Sequence, residues 1–240
     1  MVTLPSSQPE FAELLDRART AKGRLEDIIL SLEPAWIRGL DARATSFQSL
    51  WNVLRYTELS LYYVERHLGD SQWWSTLRGG LPPIRTVQFE FTAYTQCSKF
   101  GTFHLSMSAM ESSHRSFLRA LYPNAAQEAT AEYKSVYDCL LLTHLHVPVE
   151  NVRLLDLMRL IRNTVHNQGV HRRRSGKPAS VSFKGIDYEF PDGQPIEFVT
   201  WPFVLDRLND LIELQRRIVF SSPICELAAV IPDPSAALLD

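Results

Sequence analysis

A chain of 240 residues, 45% hydrophobic and 22% charged, carries enough apolar material for a sizeable core and too much for a disordered segment. Its formal net charge of −2 excludes a uniformly basic nucleic-acid binder, so any positive surface must be local. Three scattered cysteines (Cys97, Cys139, Cys225) argue against a disulfide scaffold, and no apolar run approaches the ~20 residues that span a bilayer. Together with a start that lacks the basic and apolar segments of a signal peptide, this predicts a cytoplasmic protein with no membrane association.

Residues 1–9 read as a flexible lead-in. Phe11, Leu14, Leu15, Ala18, Leu25, Ile28, Ile29 and Leu32 recur near helical spacing, which predicts a first helix over residues 10–32, ended by Pro34. A second helix is expected over about residues 46–68, with Phe47, Leu50, Trp51, Leu54, Leu61 and Val64 on its buried stripe and Gly69-Asp70 as its stop. Tyr56, Tyr62 and Tyr63 could stack on bases, but aromatic residues along a helix usually serve the core. Residues 71–84 read as a connector anchored by Trp73 and Trp74.

A long helix follows over roughly residues 87–121, interrupted or kinked near Gly101. Within it Glu111 and Arg115 lie four apart, the spacing of an ordinary helix ion pair. Pro123 breaks that helix, and another is expected over residues 125–145. His144 and His146 alternate, so on a helix they point to opposite sides and cannot share a metal; no Cys or carboxylate stands at ligand spacing beside them. No metal site or cofactor is expected, and no Ser or Cys nucleophile has an identifiable partner.

Pro148 introduces the helix around which the chain is organised. Leu157, Leu160, Ile161 and Val165 mark its apolar face, while Arg159, Arg162 and His166 follow one another on a second face. Asn167 and Gly169 read as its stop. Between Leu157 and Ile186 there is no Asp or Glu, whereas Arg159, Arg162, Arg172, Arg173, Arg174, Lys177 and Lys184 all fall there. Such a stretch suits a phosphate-bearing partner, or else is a solvated loop after a helix.

The period then changes to two over residues 179–183, 186–190 and 196–200, with Pro191-Asp192-Gly193-Gln194 as the strongest turn signal. A β-hairpin within residues 179–200, three-stranded if Lys184-Gly185 is also a turn, is therefore inserted into a helical protein. Residues 201–220 form a closing helix, and 221–240 read as a partly ordered tail. The fold class is mainly α: a helical bundle with one small inserted hairpin, a single domain over residues 10–220.

Arg162-Asn163-Thr164-Val165-His166-Asn167 resembles the Arg-Asn…His motif of the HEPN superfamily (higher eukaryote and prokaryote nucleotide-binding domains). Arg162 and His166 have three residues between them, fewer than the family's usual spacing; Arg159 and His166 have six, which fits it. Either arginine can therefore be the family residue. The order of motif helix, polar loop, hairpin and closing helix is similar to a bacterial HEPN-like branch over about residues 100–220.

The resemblance implies an all-helical homodimer and a metal-independent endoribonuclease of the toxin or antiphage kind, with a cognate antitoxin or defence partner. It implies a catalytic set of Arg162, Asn163, His166 and Arg159, with Glu111 and Arg115 as a secondary acid–arginine pair. Asn167, His171, Arg172, Arg173 and Arg174 would then hold RNA phosphates. The chemistry is consistent with these residue types. Histidine exchanges protons near neutral pH, and arginine offers a fixed fork of donors to phosphate oxygens. One histidine per motif is few for two proton transfers, which favours two motif helices paired across a dimer. A catalytically silent module binding RNA, a nucleotide or a protein through the same face remains the alternative, as does a buried polar network that only fixes helix packing.

Overall fold

The computed structural model describes residues 9–122, 132–167, 169–172 and 176–234, Pro9 and His166 by their backbone alone. Helix α1 (Pro9–Leu30) packs along α3 (Ala42–Tyr63), and α3 packs along α5 (Ile84–Leu121). Helix α8 (Trp201–Val219) closes the bundle against α1, α3 and α5. Helix α7 (Val149–His166) lies against α5 and carries the hairpin of β1 (Ala179–Phe183) and β2 (Ile186–Phe190). The expected mainly α bundle with a small hairpin is therefore the observed architecture. Phe47, Phe103 and Phe117 lie fully buried at its centre, each contributing about 1.5–3 kcal/mol by leaving water.

Several boundaries differ from the expectation, each for a local reason. Pro34 does not simply end α1; it opens a short helix α2 (Pro34–Arg38), where its missing N–H would have had no partner anyway. Helix α3 begins at Ala42, ahead of its first large apolar residue, because the Asp41 side chain caps it by accepting the Arg43 N–H at 2.9 Å. Its C-terminal end widens into a π turn (Val64–Leu68). The expected connector contains a helix, α4 (Ser71–Arg78), capped by Asp70 and stopped by Gly79 in the left-handed region. Trp74 anchors it, fully buried with its indole N–H on the Leu68 carbonyl at 2.9 Å.

Helix α5 runs through Gly101 without a break. The glycine serves a close approach instead, since a Cβ there would lie 3.3 Å from the Tyr56 hydroxyl. Tyr56 and Tyr62 are 40% and 42% exposed, so they stand outside the core, which the expected stripe of Phe47, Leu50, Leu54 and Leu61 builds without them. Of the helix expected over residues 125–145, the part to residue 131 lies outside the described residues, as does Pro123. The remainder is α6 (Tyr133–Asp138), which continues as a second π turn, Cys139–His144.

The hairpin turns at Lys184-Gly185, not at the Pro-Asp-Gly-Gln segment. Lys184 and Gly185 both take positive φ (50° and 75°), the two-residue turn whose twist matches that of the strands, and Val181 pairs with Tyr188. The third strand expected over residues 196–200 is absent. The segment after Pro191 instead pairs with the chain leaving α7: His171 and Gln194 share a backbone bond at 3.0 Å, Gly193 and His171 another at 2.8 Å. A cluster of Tyr188, Phe190, Phe198 and Phe203, with ring centroids 5.1–5.7 Å apart, fixes the hairpin to α8.

The tail returns to the bundle as far as residue 234; residues 235–240 and most of the lead-in lie outside the described residues. Helix α9 (Ser222–Cys225) and the buried Ile231 return the chain to the start of α3. There Arg43, fully buried, donates to Asp41 at 2.6 and 2.9 Å and to the carbonyls of Ile224, Leu227 and Ala229 at 3.3, 2.8 and 3.1 Å. Asp41 in turn accepts the Ile231 N–H at 3.0 Å. Every strong donor and acceptor of this buried ion pair is thereby satisfied, the condition under which such a pair is tolerated.

Candidate functional site

Helix α7 buries Leu157, Leu160 and Ile161 and half-buries Val165, the face that the spacing predicts. It ends as expected. Gly169, at φ 85°, lets its N–H return to the Thr164 carbonyl at 3.0 Å, as does Asn167 from the turn before. Thr164 is fully buried beneath that stop, its hydroxyl on the Leu160 carbonyl at 2.9 Å.

The absence of acids along the sequence does not carry over into space. Arg162 reaches across to α5 and donates to Oε2 of Glu111 at 2.6 Å, while Arg115 donates to Oε1 of the same carboxylate at 2.7 Å. All three side chains are less than a third exposed. One carboxylate thus bridges two guanidinium groups and leaves one net positive charge. Burial pushes the Glu111 carboxyl up, but hydrogen bonds from Arg115 and Arg162, with their charges, outweigh it and hold the group below its usual value. The Nε–H of Arg162 is buried with no acceptor among the described residues.

Arg159 points elsewhere. Its Nε donates to the Tyr137 hydroxyl at 3.3 Å and its fork lies 3.6 Å from Asp156, which also accepts the Tyr137 hydroxyl at 2.7 Å. Arg162 and Arg159 therefore share a helix but not a network: one faces α5, the other α6. Lys184, further along the basic stretch, pairs with Asp210 at 2.6 Å.

The remaining residues named from the sequence divide in the same way. Asn163 and Asn167 are exposed at the end of the helix, joined by a bond from Asn167 Nδ2 to the Asn163 carbonyl at 3.0 Å. His166 is the last residue of α7, one turn beyond Arg162; its side chain lies outside the described residues. Arg172 is exposed, and Arg173 and Arg174 lie outside the described residues. His171 is not on an open loop: it is 2% exposed, packed on Phe190 at 5.3 Å, with Nδ1 3.4 Å from the Thr164 hydroxyl. It joins the end of α7 to the hairpin, which takes it out of the phosphate-binding set expected for it.

One titratable group beside the site was not read from the sequence. His114, one turn along α5 from Glu111, is completely buried, its Nδ1 3.1 Å from the Tyr133 hydroxyl. Burial drives its pKa down to about 3, against a smaller opposing pull from Glu111. It is a neutral imidazole at any ordinary pH. The three-residue offset from Glu111 was the available signal, masked because Ser112, Ser113, Arg115 and Ser116 around His114 read as a solvated stretch of the helix.

Among the described residues no group of three or more His, Cys, Asp or Glu side chains is placed to hold a metal, and no helix is long and apolar enough to cross a membrane. No family model, curated protein or solved structure matches the chain. The chemistry of the site rests on its own geometry.

Proposed function

We propose that this chain is a metal-independent endoribonuclease of the HEPN type, acting as a homodimer, in the toxin or defence setting that the resemblance implies. The observation that carries this reading is the bridge from Glu111 to Arg162 and Arg115: the acid–arginine pair of the neighbouring helix meets the arginine of the motif helix, one turn below His166. A guanidinium held by a carboxylate is preorganised, and the net positive charge of the triad suits a phosphodiester.

In this mechanism the His166 imidazole takes the proton of a ribose 2′-hydroxyl as its oxygen attacks the adjacent phosphorus. Arg162, steadied by Glu111, donates to the non-bridging oxygens as charge builds on them. Asn163 and Asn167 hold the phosphate in register. The bond from phosphorus to the 5′-oxygen breaks, and the leaving oxygen takes a proton from the imidazole of a second copy. The products are a 2′,3′-cyclic phosphate and a 5′-hydroxyl. Arg172, Arg173 and Arg174 add phosphate contacts away from the reacting bond.

The test is cleavage of a fluorescent RNA by the full chain. His166→Ala should abolish activity, Arg162→Ala should cost about 2–4 kcal/mol of transition-state stabilisation, and a chelator should change nothing. Arg159→Ala should affect binding only, since Arg159 belongs to the Tyr137–Asp156 network. Light scattering should give twice the 27.4 kDa of one chain. Activity that survives His166→Ala, or that disappears with chelator, overturns the assignment.

A second reading is favoured by one observation: Arg162 is already committed to a carboxylate at 2.6 Å, as expected of a silent module that binds RNA or a protein. Glu111→Gln separates the two. If Arg162 is catalytic and held in place by Glu111, the variant cleaves more slowly. If the site only binds, the variant releases a cation, tightens RNA binding and cleaves nothing.

A further inference from the structure

Cys139 and His144 stand five residues apart, a spacing that an α-helix would send to different faces. The π turn over Cys139–His144 is wider, and it brings the two back into line, with Sγ and Nε2 3.4 Å apart. That is hydrogen-bond distance for a sulfur donor. The imidazole is fixed from its other side, lying parallel on the Tyr122 ring with centroids 3.6 Å apart. Both residues are half-buried. A thiol, a base within reach and a third group that orients the base are the parts of an activated nucleophile.

We infer that Cys139 is a base-assisted reactive thiol whose substrate is a low-molecular-weight disulfide, giving a mixed disulfide on Sγ. His144 takes the thiol proton at Nε2, and the resulting thiolate attacks one sulfur of the incoming disulfide. A new S–S bond forms at Cys139, the old one breaks, and the departing thiolate recovers the proton from His144. Burial, aided by His146, holds the His144 pKa below its ordinary value, so the ring is present as the neutral base this step requires. The neighbourhood gives the modification a consequence. Asp138 and Tyr137 precede Cys139 directly, and through Lys134 and the Tyr137 hydroxyl both are tied to Asp156 on α7, at 3.2 and 2.7 Å. A bulky group on Cys139 therefore presses on the segment that holds α7. The inference does not depend on RNA cleavage.

The experiment is exposure of the full chain to glutathione disulfide at neutral pH, with the rate at each cysteine read by peptide mass mapping. Cys97 is exposed and serves as the internal reference. Cys139 should react faster than Cys97 although it is less exposed. An unassisted thiol is only a few per cent ionised at neutral pH, so assistance can raise the rate by at most about thirtyfold. His144→Gln should remove most of that advantage and leave Cys97 unchanged. A Cys139 rate below that of Cys97 overturns the inference in the unaltered protein, whatever the variant does. An unchanged Cys139 rate in a His144→Gln protein that keeps its circular dichroism also overturns it. In that second case the 3.4 Å contact is packing only.

Discussion

Glu111 holds one negative charge between two guanidinium groups, so removing it leaves two half-buried cations facing each other. Glu111→Gln should destabilise the protein by about 2 kcal/mol in urea unfolding at pH 7, between the cost of an exposed pair and that of a fully buried one. Its folded pKa lies below the unfolded value, so the contribution is complete above about pH 4.3 and fades as pH falls through the lowered range. The variant and the natural protein should accordingly converge once pH has fallen below that lowered range. His114 acts over a higher window. Its pKa falls to about 3 on folding, so below about pH 6.5 the unfolded chain binds a proton that the folded one refuses. Stability should therefore drop by about 1.4 kcal/mol per pH unit between pH 6 and pH 4, and His114→Gln should flatten that slope. An equal slope in both proteins would mean that the buried imidazole protonates without unfolding. At this scale the sequence was legible in residue type and face, but not in pairing: nothing local says that Arg162 meets an acid on another helix and Arg159 one on its own.

Among the elements, the long helices could be read directly because a repeated apolar spacing needs no knowledge of the partner. What escaped were elements defined by a few residues. Helix α4 has only Trp74 fully buried, and the start of α3 is small and polar yet enclosed. The hairpin misled for a different reason. Pro191-Asp192-Gly193 has the composition of a turn, whereas Lys184 is a poor signal for a residue at positive φ; the two-residue loop with Gly185 decided the register. Gly185→Ala should cost about 1–2 kcal/mol in thermal or urea unfolding, because φ near 75° is unfavourable for any residue with a Cβ. The Lys184 N–H also donates to Glu150 at 2.6 Å, so the loss should be accompanied by exposure of β1 against α7, visible as faster amide exchange at Val181 and Phe183. If Gly185→Ala unfolds at the same denaturant concentration as the natural protein, the turn is not what sets the hairpin.

For the molecule as a whole, the buried Asp41–Arg43 pair is the point where distant parts of the chain meet. Asp41→Ala should cost about 3–5 kcal/mol, since it strands a guanidinium with no water to reach it. A cost under about 1 kcal/mol in urea unfolding would show that the carbonyls of the returning segment suffice. Nothing in the sequence advertised this closure: an Asp-x-Arg at a helix start looks like an ordinary cap, and residues 221–234 carry little periodic signal. The same pair sets a clock on synthesis. Arg43 leaves the ribosome 181 residues before its acceptor Ile224 exists, which at about 5–20 residues per second is roughly ten to forty seconds of waiting. Through that interval α3 cannot bury its first turn without leaving unsatisfied the Arg43 donors that later meet Ile224, Leu227 and Ala229, although Asp41 already balances the charge. The nascent bundle is thus kept open at one end, and it seals only once translation has delivered the segment that Arg43 binds.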